Sequence, residues 1–149
     1  MVQIRRYLSH LLRSFFRWLL QQEGSPGYKA RGLGIGIFCG CFPLFGLQTI
    51  LGITLASFFR GNYLFAISGT WISNPATYLP LYWLNYQVGS VLLGYEIQMS
   101  EVSQFAWREI WSQGLIVCSR LLLGSAVVGA FLGVLTGLIV YCFLKSRSY

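Results

Sequence analysis

The residues of this chain best suited to contact a bound group are amides, hydroxyls and helix breakers set inside apolar sequence. Pro43 and Gly46 precede Gln48 and Thr49, and Thr70, Ser73, Asn74 and Thr77 surround Pro75 and Pro80. Amides and hydroxyls donate and accept hydrogen bonds, and an interrupted helix exposes backbone groups beside them. That chemistry suits holding a neutral polar group. Catalysis would need an acid, base, nucleophile or metal site, and the uncharged runs holding these residues contain no Asp, Glu, His or Lys. No catalytic residue is therefore assigned, and the chain is not expected to be an enzyme. No metal or cofactor is expected. Cys39 and Cys41 are too close for the usual ligand spacing and lack partner histidines, and Cys118 and Cys142 lie in or beside apolar runs as packing residues. The alternating glycines at 32, 34 and 36 have no following Lys, so they do not read as a phosphate loop.

The elements that would position these residues are apolar segments of membrane character. Of 149 residues, 55% are hydrophobic and 10% charged, too few charges to cover a soluble domain of this size. The net charge of +7 comes from eleven Lys and Arg against four Glu. Arg5, Arg6, Arg13, Arg17, Lys29 and Arg31 precede the first apolar run, and Lys145 and Arg147 follow the last. Such flanking positions set topology and meet anionic lipid headgroups. No base-reading motif accompanies the charge, so a lipid bilayer is the expected partner and nucleic acid is not.

From Ile4 to Gln22 a helix gathers Ile4, Tyr7, Leu8, Leu11, Leu12, Phe15, Trp18 and Leu19 on one arc, with Arg6, His10, Arg13 and Arg17 opposite. This predicts a basic amphipathic helix lying in the membrane interface, or packed on a partner protein. An arginine-interrupted N-terminal region does not resemble a cleavable signal peptide. Glu23-Gly24-Ser25-Pro26-Gly27 ends the helix.

Two long uncharged runs follow. Gly32 to Phe59 is 28 residues, about 42 Å as straight helix, but Pro43 and Gly46 interrupt it. It is either one kinked span or two half-helices in a re-entrant hairpin. Gly61 to Tyr95 is 35 residues, about 52 Å as helix, too long for one span of a roughly 30 Å hydrocarbon core and too short for two. Its centre, Ser73 to Pro80, is broken, and Asn74 before proline is biased away from helical geometry. Freed backbone groups need partners in lipid, which Thr70, Ser73, Asn74 and Thr77 can supply.

Glu96 to Gln113 holds Glu96, Glu101, Glu109, Trp107 and Trp111, and reads as a second short interfacial helix. Leu121 to Leu144, 24 uncharged residues, predicts a spanning helix. Ser125, Gly129, Gly133 and Gly137 form a small-residue stripe, as do Gly32, Gly36 and Gly40. The two stripes are expected to face each other, or to bind a second copy or another membrane protein. A re-entrant first run with one crossing by the second leaves every basic cluster, and the N-terminus, on the cytoplasmic side.

The broken segments carry a resemblance. Gly34-Ile35-Gly36-Ile37-Phe38 leads to Phe42-Pro43-Leu44-Phe45-Gly46-Leu47-Gln48-Thr49. Asn62 comes next, then Gly69-Thr70-Trp71-Ile72-Ser73-Asn74-Pro75 with Thr77, Pro80, Tyr82 and Gly89. Over about residues 29–95 this resembles the bacterial membrane family called domain of unknown function 2062. Ala76-Thr77-Tyr78 departs from the more aliphatic residues of that family. The resemblance implies a protein of a bacterial inner (plasma) or other internal membrane and names no reaction. A similar domain joined to a glycosyltransferase in some relatives implies envelope or lipid-linked biology.

The expected fold is thus an all-α, multi-pass membrane protein. Residues 1–28 form the interfacial helix and turn, 29–95 the broken-segment core, 96–113 a polar interfacial segment, and 114–149 the spanning helix and basic tail. The expected role is transport or lipid handling through the broken segments. The alternative is a structural or assembly subunit that binds membrane proteins through the glycine stripes.

Overall fold

The computed structural model of the chain describes residues 14, 21–44, 46–94 and 107–147, with side-chain surroundings in the last helix from 114 onward. The amphipathic helix expected over Ile4 to Gln22 lies, apart from Ser14, Gln21 and Gln22, outside the described residues, as does 95–106. Among the described residues the structure is entirely helical: α1 (Pro26–Gly40), α2 (Leu47–Phe58), α3 (Tyr63–Thr70), α4 (Tyr78–Leu93) and α5 (Trp107–Ser146).

Local chemistry sets the ends of these helices. Ser25 caps α1, its hydroxyl accepting from the Tyr28 N–H at 3.3 Å, and Pro26 occupies the first turn, where a missing N–H costs nothing. α1 therefore starts six residues before the apolar run, because capping rather than hydropathy places a helix start. At its other end Pro43 cannot donate to a continuing ladder, and Gly46, at φ 82°, leads into α2. Asn62 begins α3, its Oδ1 accepting from the N–H groups of Leu64 and Phe65 at 2.9 and 3.2 Å. The expected interfacial helix over Glu96 to Gln113 is not separate at its C-terminal end: Trp107 to Gln113 are the first turns of α5. Gly114 is the one poor helix former near that joint, and about 1 kcal/mol of lost propensity does not break a helix.

Glycine contacts give the helix directions. Along α1, Gly32 meets Asn62, Gly36 meets Ala66 and Gly40 meets Thr70, so α1 and α3 run parallel. α2 carries the chain back between them, and the Asn62 N–H donates to the Tyr28 carbonyl at 2.9 Å. α5 is antiparallel to α1, with Gly129 on Phe38, Gly133 on Gly34 and Gly137 on Ala30, and antiparallel to α4, with Gly124 on Asn85 and Gly89 on Arg120. The two interruptions therefore differ. At 41–46 the chain reverses; through 71–77 it keeps its direction. One end of the molecule consequently gathers Lys29, Arg31, Arg60, Lys145 and Arg147, because Gly61 lies on Gly32 and Tyr141 on Gly27.

Many large apolar side chains face outward. Asn85, Thr70, Cys41 and Ser125 are buried almost completely, beside the apolar Phe65, Ile37, Leu81 and Val128, whereas Phe58, Leu79, Val91 and Phe131 are 80%, 84%, 79% and 67% exposed. The interior mixes small, polar and a few large apolar residues, and large apolar side chains cover much of the outside. Among the described residues, one stretch, Gly114–Ser146, is long and apolar enough to cross a membrane by length and composition.

Candidate functional site

Each interruption satisfies part of its own backbone. In the second, the Asn74 Oδ1 accepts from the N–H groups of Ala76 and Thr77 at 2.9 and 3.2 Å, and the Thr77 hydroxyl donates to the Ile72 carbonyl. This is the turn that an Asn-Pro pair favours. The Thr70 hydroxyl donates to the Ile67 carbonyl at 2.7 Å, and the Ser73 hydroxyl to the Thr70 carbonyl at 3.3 Å. In the first, the Cys41 N–H reaches back to the Ile37 and Phe38 carbonyls.

The two interruptions are side by side and joined by side chains. Gln48, in the first turn of α2, donates from Nε2 to the Ser73 Oγ at 2.9 Å, a buried bond linking residues 25 apart in sequence. The Thr49 and Thr70 hydroxyls are 3.3 Å apart. A second amide makes the return connection: Asn85, in α4, donates from Nδ2 to the Cys41 carbonyl and to the Ser125 Oγ, each at 2.9 Å. The helix after each interruption thus sends an amide to the other one. Among the described residues neither the Gln48 Oε1 nor the Asn85 Oδ1 receives a hydrogen bond, although Gln48 is 7% exposed and Asn85 fully buried.

Gln48, Thr49, Thr70 and Ser73 therefore meet in one junction. Asn74, Pro75 and Pro80 are exposed and shape the chain around it, with Thr77 closing the turn. Pro80 breaks nothing: it lies in the first turn of α4, where helical N–H groups have no intrahelical partner. Pro43 is half-buried in the reversal and Gly46 is exposed at its exit.

The glycine stripes do not face each other as expected. Gly32, Gly36 and Gly40 pack on α3, while Gly129, Gly133 and Gly137 pack on the opposite side of α1, on Phe38, Gly34 and Ala30. Gly34 is two residues, about 200°, from Gly32 and Gly36 on the helix, so α1 offers a close-approach surface on both sides. Ser125 belongs to neither contact and serves Asn85 instead.

Asn85 is the residue that sequence reasoning missed. Leu81, Asn85 and Gly89 recur at helical spacing on the buried side of α4, so the rule that found the glycine stripes could have found it.

The chain matches the family model described as "Uncharacterized protein conserved in bacteria (DUF2062)" over residues 7–148. The match includes the N-terminal segment and α5, well beyond the stretch 29–95 that carries the motifs. No curated protein and no solved structure matches the chain. A family model spanning nearly the whole chain, with both interruptions inside it, makes this protein a member of the bacterial DUF2062 family.

Proposed function

We propose that the chain is a multi-pass protein of a bacterial inner membrane that moves an uncharged polar group, a small solute or a lipid headgroup, through the junction of its two helix interruptions. The observation that carries this reading is the Gln48–Ser73 bond across the junction, with the Gln48 Oε1 buried beside it. Paired interrupted helices that meet in mid-fold are the usual construction of a transport site, and their polar groups need lining by protein or substrate. The junction's hydrogen bonds run between amides, hydroxyls and carbonyls, so the role is not enzymatic and the cargo is neutral.

Membrane embedding is supported by the many large apolar side chains on the outside. Large apolar side chains outside and small or polar ones between helices are what lipid selects, since lipid offers no hydrophobic drive toward burying leucine. α1, α2 and α4 are 15, 12 and 16 residues, about 22, 18 and 24 Å, each short of a roughly 30 Å core. The reversal at 41–46 then makes α1 and α2 a re-entrant hairpin, α3 and α4 together one crossing, and α5 the return. The basic end is cytoplasmic under this topology. With Cys118 and Cys142 first changed to Ser, a membrane-impermeant maleimide should label a cysteine at Ser146 only from the cytoplasmic side and one at Gly114 only from the other. Labelling of both from one side removes this topology.

The scaffold alternative loses the surfaces assigned to it, because both glycine stripes are occupied within the chain. The two roles separate in reconstituted vesicles. Transport of an uncharged polar group expects movement of at least one of a panel of neutral solutes and labelled phospholipids above that in empty vesicles, with sodium ion at background. No movement of any, with the protein recovered as a stoichiometric subunit of a membrane complex, establishes the scaffold instead.

A further inference from the structure

The turn that ends α2 is built for glycine and holds an arginine. The Gly61 N–H donates to the Ala56 carbonyl at 2.6 Å and the Arg60 N–H to the Ser57 carbonyl at 3.3 Å. These are the paired bonds of a Schellman motif, in which the residue at the position of Arg60 is left-handed and usually glycine. Arg60 has φ 52° and, among the described residues, is the one non-glycine residue at positive φ. At the end of α4 the left-handed residue is Gly94, at φ 67°. An arginine in this conformation works against folding, because its Cβ crowds the following carbonyl oxygen. A cation at the end of α2 would suit the helix dipole equally well at Phe59, without that cost.

The surroundings of the turn indicate what this arginine meets. A Cβ on Gly61 would fall 2.8 Å from the Gly32 nitrogen and 3.3 Å from the Arg31 carbonyl carbon. The turn therefore lies against the start of α1 and sets Arg60 and Arg31 on adjoining stretches of backbone. Both side chains are exposed. No acidic residue lies between Glu23 and Glu96, so the segments that build this corner supply no carboxylate. Phe58 and Phe59, with rings 5.4 Å apart, precede Arg60, and Tyr63 follows Asn62; all three are exposed. Exposed rings around exposed cations suit a membrane–water boundary, where aromatic side chains sit at headgroup level. A guanidinium there meets phosphate oxygens, which its planar fork binds two at a time. A zwitterionic lipid carries its own cation beside the phosphate, so the net attraction favours an anionic one. We infer that Arg60, with Arg31 beside it, binds the phosphate of an anionic phospholipid, and that this contact keeps arginine at a position suited to glycine. The site is separate from the transport junction and rests only on the membrane reading.

The test titrates the full chain in detergent with phosphatidylglycerol, phosphatidylcholine or inorganic phosphate and follows its melting temperature. Phosphatidylglycerol should raise the melting temperature well beyond the rise given by phosphatidylcholine, and inorganic phosphate at the same concentration should leave it unchanged. Arg60→Gly should have two opposite effects. It should raise the lipid-free melting temperature by about 2 to 4 °C, from relief of the left-handed residue. It should also move the midpoint of the phosphatidylglycerol titration about fivefold toward higher lipid, the worth of one cation at an anionic surface. Arg31→Gln, at an exposed helical position, should move that midpoint alone, and it decides the matter if Arg60→Gly does not fold. An unchanged midpoint in the folded variants overturns the site, as does equal stabilisation by phosphatidylcholine, and both leave the membrane reading intact. Equal stabilisation by inorganic phosphate overturns the lipid assignment in favour of a soluble anion. No response to either lipid, from a protein that stays folded and monodisperse without detergent, overturns the membrane reading as well.

Discussion

Gly124→Ala is expected to lower stability by about 3 kcal/mol or to prevent accumulation of folded protein, the largest effect of any single methyl group in this chain. A Cβ at Gly124 would fall 1.7 Å from the Asn85 carbonyl oxygen, and one at Gly89, on the facing helix, 1.9 Å from the Arg120 carbonyl oxygen. Both obstructions are backbone, which cannot rotate aside as a side-chain tip can. α4 and α5 would have to separate along their length, loosening the Asn85 bonds to Cys41 and Ser125 that lie at the same crossing. Gly114, on the same helix, has nothing within 4 Å of its position for Cβ. There the same substitution should be neutral or stabilising by up to about 1 kcal/mol, from helix propensity alone. Thermal melting of the three detergent-purified proteins checks the pair. Equal melting of Gly124→Ala and the natural chain would mean that α4 and α5 do not cross this closely.

Asn85→Leu is expected to cost about 2 to 3 kcal/mol, and Asn85→Asp more. The hydrogen bond itself is the smaller part: between helices in a membrane such bonds average about 0.6 kcal/mol, with a maximum of about 1.7. The larger part is the Cys41 carbonyl, left without the donor it receives from Asn85 at the point where α1 ends. Leucine leaves that carbonyl unpaired. Aspartate sets oxygen against it and buries a charge, which costs more still. Ser125 separates the terms. Its hydroxyl can turn back to bond the carbonyl of the preceding helical turn, so Ser125→Ala should cost under about 1 kcal/mol. In a double-mutant cycle with Asn85→Leu the coupling should be about 1 kcal/mol or less. Equilibrium unfolding in detergent measures the natural chain, the three single variants and the double variant; an Asn85→Asp protein as stable as the natural one would remove Asn85 from the role of joining the interruptions.

The interruptions were legible in the sequence because proline acts locally. Pro43 lacks the N–H that would continue α1, and Asn74 before Pro75 forms its turn with groups no more than three residues away. The caps at Ser25 and Asn62 act over the same short range, since a cap reads only the next turn, but in the sequence residues 23–27 read as a helix end and not as the start of α1. Pro80 shows the limit of the rule. Proline breaks a helix only where its N–H would have been used, and the first turn of α4 is not such a place.

Contacts between helices were not legible in this way. Glycines at 32, 34, 36 and 40 announce that other backbones come close to α1, and not which ones. Gly36 and Gly34 are equally small, so only the path of the chain assigns the first to α3 and the second to α5. That path depends on the turn at 41–46 reversing the chain while the one at 71–77 does not, a difference set by packing over the whole fold.

By itself, then, the sequence determined what neighbouring residues can settle: the apolar character of the runs, their interruption near Pro43 and Pro75, and the family motifs. The tertiary structure decided that the two interruptions adjoin, and that Gln48 reaches Ser73 and Asn85 reaches Cys41. The physical reason is range. Proline and capping effects act within one turn, whereas an amide's partner 25 or 44 residues away is chosen by how close glycine lets the helices approach.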